Sequence, residues 1–158
     1  MTAWVLFGLA SPLVLAQCEG GASFSLHAEQ IETERSNAER ALVKVEIHNC
    51  TNHIVYLQNN VADSLGRQRF NLKLVAADGT LIPDRGIPGA QEKSDQPVAR
   101  SGSLTLIPVP VGSTIERKIS LRRAFSLPGP GVFTLYVARW DLESKNLIAA
   151  PPIKVTIN

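Results

Sequence analysis

The segment VKVEIHN, residues 43–49, decides the fold class of this chain. Its apolar residues Val43, Val45 and Ile47 alternate with polar residues. A period of two places successive side chains on opposite faces, which is typical of a β-strand with one buried face. The segment therefore predicts a half-buried strand.

The same alternation recurs along most of the chain beyond residue 21. The predicted strands cover residues 22–28, 41–48, 53–58, 70–75, 104–107, 114–121, 133–138 and 153–157. Asp78-Gly79 predicts a hairpin turn, and the polar stretch 29–40 predicts a link. Turn residues separate the strands at the spacing expected of a β-sandwich, so we expect an all-β fold.

Three pieces of the sequence carry a resemblance to a known family. They are VKVEIHN with the turn that follows it, the Asp78-Gly79 hairpin, and LPGPGVFTLYVAR at residues 127–139. Their order resembles that of exported bacterial immunoglobulin-like domains of unknown function. The resemblance covers most of residues 22–158 and implies an immunoglobulin/fibronectin-III-like β-sandwich of about 7–8 strands. The strand order is also similar to small bacterial proteinase-inhibitor β-sandwich domains. Both resemblances concern only the arrangement of strands, so they imply a fold but do not indicate an activity.

Length and charge narrow the class of protein. The chain has 158 residues, enough for one domain with a real hydrophobic core. Its formal net charge of +2 is not concentrated in a basic run, which argues against a nucleic-acid-binding protein.

The first sixteen residues, Met1–Ala16, contain no charged side chain. They are too short to cross a bilayer, which needs about 20 apolar residues. An apolar core that ends in small residues is typical of a secretory signal peptide, here cleaved before Gln17. We therefore predict a signal peptide at 1–16 and one domain at 17–158, located in the periplasm, the cell envelope or outside the cell.

The two cysteines fit that location in more than one way. Cys18 and Cys50 could form a disulfide, which an oxidising compartment favours. Alternatively, Leu15-Ala16-Gln17-Cys18 resembles a lipobox, which would make Cys18 the site of a lipid, or both thiols could be free. If strands 22–28 and 41–48 pair with residue 28 opposite residue 41, both cysteines lie near one end of the ladder. We favour the disulfide.

Residues suited to catalysis or metal binding are few. His48, Cys50 and His53 could form part of a zinc or copper site only if they converge. We expect no metal, no cofactor and no enzymatic activity, because no Gly-x-Ser-x-Gly elbow or phosphate-binding loop occurs. The acidic residues that could be paired as acid and base are expected to be solvated loop carboxylates: Asp84, Asp95, Asp141 and Glu143.

Two surface features could bind a partner. The aperiodic stretch 84–102 predicts a long loop, in which Arg85 and Arg100 could contact a protein. A small cluster of basic residues is expected to be an ordinary solvated strand face: Arg117, Lys118, Arg122 and Arg123. Asn49-Cys50-Thr51 also matches a glycosylation sequon.

Together these features favour an exported, non-enzymatic binding or adhesion module that recognises protein or glycan. We expect it to be monomeric, without nucleic-acid partners, and to contact a membrane only if Cys18 carries a lipid. The alternative hypothesis is a small protease inhibitor that acts through the loop 84–102.

Overall fold

The computed structural model describes residues 18–31, 41–60, 70–85 and 104–158. Nine strands lie within these residues: β1 Phe24–Ile31, β2 Leu42–Asn49, β3 Val55–Asn60, β4 Asn71–Ala76, β5 Leu104–Val109, β6 Thr114–Ser120, β7 Gly131–Trp140, β8 Leu147–Ala149 and β9 Ile153–Ile157. A 3₁₀ turn at Glu19–Gly21 and a four-residue helix α1 at Leu121–Ala124 complete the described elements. The predicted signal peptide at 1–16 and most of the loop 84–102 lie outside the described residues.

The strands form three antiparallel groups. The front sheet has the order β1-β2-β6, and the ribbon consists of β3 paired with β5. In the back sheet, β4 pairs with one edge of β7, while β8 and β9 pair with successive parts of the other edge. The all-β prediction is confirmed.

One hydrophobic core joins the inner faces of the two sheets and the ribbon. The prediction of a half-buried strand at residues 43–49 is confirmed, because Val43, Val45 and Ile47 are all completely buried. Similar alternation along β7 buries every second residue. The largest completely enclosed side chains of the core come from all three groups and from α1: Phe24, Phe125, Ile47, Leu74, Ile119, Leu121, Leu135, Ile157, Val43, Val45, Val55 and Val109.

The register expected for the first two strands is wrong. Ala28 lies opposite Val45, not opposite residue 41, because β1 continues to Ile31. The prediction of a link from residue 29 onwards is wrong for residues 29–31, which continue the ladder opposite residues 42–44, where Glu29 also forms an ion pair with Lys44. Residues 32–40 of the predicted link lie outside the described residues.

Two short elements were not predicted from sequence. β8 contains three residues and pairs with the end of β7, from Ala138 to Trp140. The helix α1 is a single turn, with Leu121 and Ala124 buried. Both elements are too short for a hydrophobic period to be recognisable.

The hairpin at Asp78-Gly79 is confirmed. Gly79 has a φ of 88°, which favours glycine, and its N–H donates to the carbonyl of Ala76 at 3.0 Å. The returning segment then makes a bridge between Leu81 and Val75.

A side chain joins the neighbouring edges of the two sheets. The Nε2 of Gln30, on β1, donates to the carbonyl of Thr156, on β9, at 2.7 Å. The N–H of Thr156 donates to the Oε1 of Gln30, also at 2.7 Å. The amide thus makes the two hydrogen bonds that a neighbouring strand residue would make.

Candidate binding surfaces

The corner between β2 and β3 is built around Asn49, whose side chain is only 1% exposed. Its Nδ2 donates to the carbonyls of Val109 and His53, both at 2.8 Å, and to that of Pro110 at 3.1 Å. Its Oδ1 accepts from the backbone N–H and the hydroxyl of Thr51, both at 2.8 Å. One side chain therefore fixes the corner that leads into β3 and the end of β5. Because this amide is buried and engaged, the sequon is not open to glycosylation in the folded chain.

A disulfide joins Cys18 to Cys50 beside that corner, so the predicted bridge is confirmed. The two Cα atoms lie 5.6 Å apart, within the range of ordinary disulfides. The ladder does not bring them together as expected. Instead, Gly20 and Gly21 adopt positive φ in the 3₁₀ turn and bring Cys18 back towards Cys50. In the disulfide-bonded form, the sulfur of Cys18 is bonded to Cys50 and cannot carry a lipid.

The three residues considered for a metal site do not converge. His48 Nδ1 lies 3.0 Å from the Thr114 hydroxyl, and His53 Nε2 lies 2.9 Å from Glu143 Oε2. Cys50 has no thiolate, because its sulfur is in the disulfide. Within the described residues, no group of three or more His, Cys, Asp or Glu is arranged to hold a metal ion.

Asp141 is a buried residue, and the expectation that it is a solvated carboxylate is wrong. Its Oδ2 accepts from the Ser23 N–H at 2.8 Å and the Ser144 hydroxyl at 2.6 Å. Its Oδ1 accepts from the Ser23 hydroxyl at 2.7 Å and the Glu143 N–H at 3.0 Å. Burial raises the pKa of this carboxyl, but the hydrogen bonds, led by that of Ser144, together outweigh burial and hold the pKa below its ordinary value. Asp141 thus ties the start of β1 to the turn after β7.

Glu143 and Asp84 are exposed, as expected of loop carboxylates, while Asp95 lies outside the described residues. Glu143 pairs with His53, so Asp141 and Glu143 contact different groups and do not form an acid–base pair.

Arg139 is a second buried charged residue, and the sequence patterns did not predict its burial. It is 5% exposed, its guanidinium lies 5.0 Å from the centre of the Phe70 ring, and its Nη2 donates to the Gln58 carbonyl. These contacts connect the end of β7 to β3. The alternation along residues 131–140 would have indicated an inward position for Arg139, had the predicted strand not ended at residue 138.

The basic residues near β6 do not form one patch. Arg117 lies opposite Val45 on the inner face, while Lys118 is exposed on the outer face. Arg122 donates to the carbonyl of Asn158 at 2.8 Å, and Arg123 is exposed in α1.

The start of the long loop is fastened to the region after α1. The N–H of Arg85 donates to the Ala124 carbonyl at 2.9 Å, and Asp84 forms a bridge with Phe125. Arg85 is exposed. Arg100 lies outside the described residues, so a partner site in this loop stays a prediction.

The outer face of the ribbon carries several exposed apolar side chains, with the partly buried Gln58 as a polar member. Tyr56 is 50% exposed and lies opposite Pro108, which is also exposed. Leu106, opposite Gln58, is 48% exposed. Ile54 before β3 and Val111 after β5 are similarly exposed. Contiguous exposed apolar side chains of this kind are typical of interaction sites.

The outer face of the front sheet has a different chemical character. It carries the carboxylates Glu29, Glu46 and Glu116 together with Lys44 and Lys118. The hydrogen bonds that the Lys44 ammonium donates to Glu29 and Glu46 raise the pKa of Lys44. Opposite charges on this face therefore neutralise one another, and this favours the ribbon as the contact surface.

Comparison with protein-family models finds no match, and comparisons with curated proteins and with solved structures find no significant match. No helix among the described residues has the length and apolar character needed to span a membrane. The chain is thus defined at the level of an all-β protein with antiparallel sheets and a Cys18–Cys50 disulfide.

Proposed function

We propose that this chain is an exported, non-enzymatic binding module with an immunoglobulin-like β-sandwich fold, which recognises protein or glycan at the cell envelope. The observation that carries the proposal is the apolar outer face of the ribbon. Its exposed members include an aromatic ring at Tyr56, and Tyr side chains are enriched at protein interfaces. We assign this face to a protein partner.

The strand order supports the immunoglobulin-like assignment. The front order β1-β2-β6 corresponds to strands A, B and E of that fold. In the back sheet, β4, β7 and β9 correspond to strands C, F and G. The disulfide supports export, because such bonds persist mainly in oxidising compartments.

The ribbon is a suitable contact surface because its geometry is fixed from both ends. Asn49 holds the corner at one end through buried hydrogen bonds, and Arg139 binds the carbonyl of Gln58 towards the other. A partner would therefore meet a surface that is already organised, which lowers the entropy cost of binding.

Photo-crosslinking tests the proposal directly. A photoreactive phenylalanine analogue replaces Tyr56 in the full chain, expressed in its native cells. A matched variant carries the same analogue in place of Lys118, on the outer face of the front sheet. We expect one protein adduct of constant mass from position 56. An excess of wild-type chain should abolish this adduct by competition, whereas an excess of the Tyr56→Ala chain should not. The same adducts from both positions, or none from position 56, would contradict the proposal.

A further inference from the structure

The outer face of the back sheet combines aromatic, small and cationic side chains. Twelve described strand residues face outwards there: Asn71, Lys73, Val75, Val132, Thr134, Tyr136, Ala138, Trp140, Leu147, Ala149, Lys154 and Thr156. Among these residues there are two lysines and no carboxylate. The corresponding face of the front sheet carries two lysines and three carboxylates, so the positive charge of the back face is not compensated within the described strands.

We propose that this face binds an acidic polysaccharide, whose sugar rings lie on Tyr136 and Trp140 and whose carboxylates pair with Lys73 and Lys154. This inference rests on the proposed binding function and deepens it, because it names the class of glycan and a face separate from the ribbon.

The spacing of side chains along β7 suits an extended sugar chain. Tyr136 and Trp140 lie on the same face, four residues and about 13 Å apart. Ala138 lies between them and is paired with Ala149 on the next strand. The two residues between the aromatic rings are alanines, whose side chains are too small to block the flat, amphipathic face of a sugar from reaching the rings.

The lysines lie where acidic groups of such a ligand would be. Lys73 is opposite Tyr136, and its ammonium is 5.5 Å from the centre of that ring. Lys154 is opposite Thr134, the next outward residue along β7. Because Lys73 lies over one face of the Tyr136 ring, a sugar would stack on the other face, where its carboxylate can form a charge-assisted hydrogen bond with a neighbouring lysine.

An acidic peptide would offer similar charges, but the sheet favours a glycan. β7 is paired along both edges, with β4 on one side and with β8 and β9 on the other. Its backbone groups are therefore used within the sheet and cannot bind a peptide by strand addition. Recognition at this face depends on side chains alone, and the exposed ring of Tyr136 together with the partly buried ring of Trp140 favours flat sugar rings.

Calorimetric titration of the full, disulfide-bonded chain tests the proposal with three probes of similar length. The probes are an oligogalacturonate, a neutral cello-oligosaccharide and a poly-glutamate peptide. We expect the oligogalacturonate to bind at least about tenfold more tightly than either other probe, and more weakly as salt rises. Equal binding of the neutral sugar, tighter binding of the peptide, or no binding of the oligogalacturonate would overturn the proposal.

Variants locate the site. Lys73→Gln and Tyr136→Ala should each weaken oligogalacturonate binding by about tenfold. Tyr56→Ala is the matched control, because it removes another exposed tyrosine, on the ribbon. Equal losses in Tyr136→Ala and Tyr56→Ala would refute the assignment to the back sheet. Because the crosslinking test depends on position 56, the proposed protein-binding function and this glycan site can fail independently.

Discussion

Substitution of Asp141 by Asn tests how the buried carboxylate holds the fold together. Each carboxylate oxygen accepts from one backbone N–H, that of Ser23 on Oδ2 and that of Glu143 on Oδ1. An asparagine amide places its NH₂ group against one of these N–H groups in either orientation. Neither backbone donor can rotate away, so Asp141→Asn leaves either the buried N–H of Ser23 or the partly buried N–H of Glu143 without an acceptor.

The expected cost follows from these contacts. An unsatisfied buried donor costs about 1–3 kcal/mol, and the remaining hydrogen bonds lose their charge assistance. We expect Asp141→Asn to lower the free energy of unfolding by about 2–3 kcal/mol at pH 7. With a urea dependence of about 2 kcal/mol per M, the unfolding midpoint should fall by about 1–1.5 M. Fluorescence of the adjacent Trp140 can report the transition.

The pH dependence provides a second readout. Because the folded-state pKa of Asp141 is lowered, the contribution of its carboxylate is present above the unfolded pKa of about 3.9 and is lost as the pH falls through the folded pKa. The stability difference between wild type and Asp141→Asn should therefore narrow below about pH 4.

Glu143→Gln is the matched control, since it keeps the backbone N–H that binds Asp141 and removes only an exposed pair with His53. Its cost should not exceed about 1 kcal/mol. The reasoning is refuted if Asp141→Asn unfolds at the same urea concentration as wild type at pH 7.

Two further predictions concern the corner beside the ribbon. Replacing Cys18 and Cys50 together by serine should lower the free energy of unfolding by about 3–4 kcal/mol, because the bridge closes a sequence separation of 32 residues. A urea unfolding midpoint equal to that of the oxidised wild type would contradict this prediction. Asn49→Ala should lower the free energy of unfolding by about 2–4 kcal/mol, since it leaves buried carbonyls without donors. The control variant Asn52→Ala, at an exposed position, should have little effect. Equal thermal unfolding midpoints for the two variants would mean that Asn49 does not hold the corner.

The strands could be predicted because their signal is local. Alternation over a few residues is sufficient to identify β2, β6, β7 and β9, and the Asp78-Gly79 turn has its own residue preference. The disulfide could be predicted because only two cysteines are present.

Contacts between distant residues were not predictable from the same patterns. Ser23 and Asp141 are 118 positions apart, and nothing in the turn after β7 indicates that its aspartate lies beside the start of β1. Asn49 is a residue type that is common in turns, but its hydrogen bond to the Val109 carbonyl depends on the position of β5 in the fold. The ribbon surface was missed for the same reason. Ile54 and Tyr56 share a face by alternation, but only the pairing of β3 with β5 shows that this face points outwards and continues onto Leu106 and Pro108.

The link between Gln30 and Thr156 has a consequence for self-association. An exposed sheet edge offers unpaired N–H and carbonyl groups on which another copy of the chain can add a strand. Here one glutamine amide satisfies both backbone groups of Thr156, so that residue is not available to pair with an incoming strand. At this point of the edge, a single side chain takes the place of a further strand.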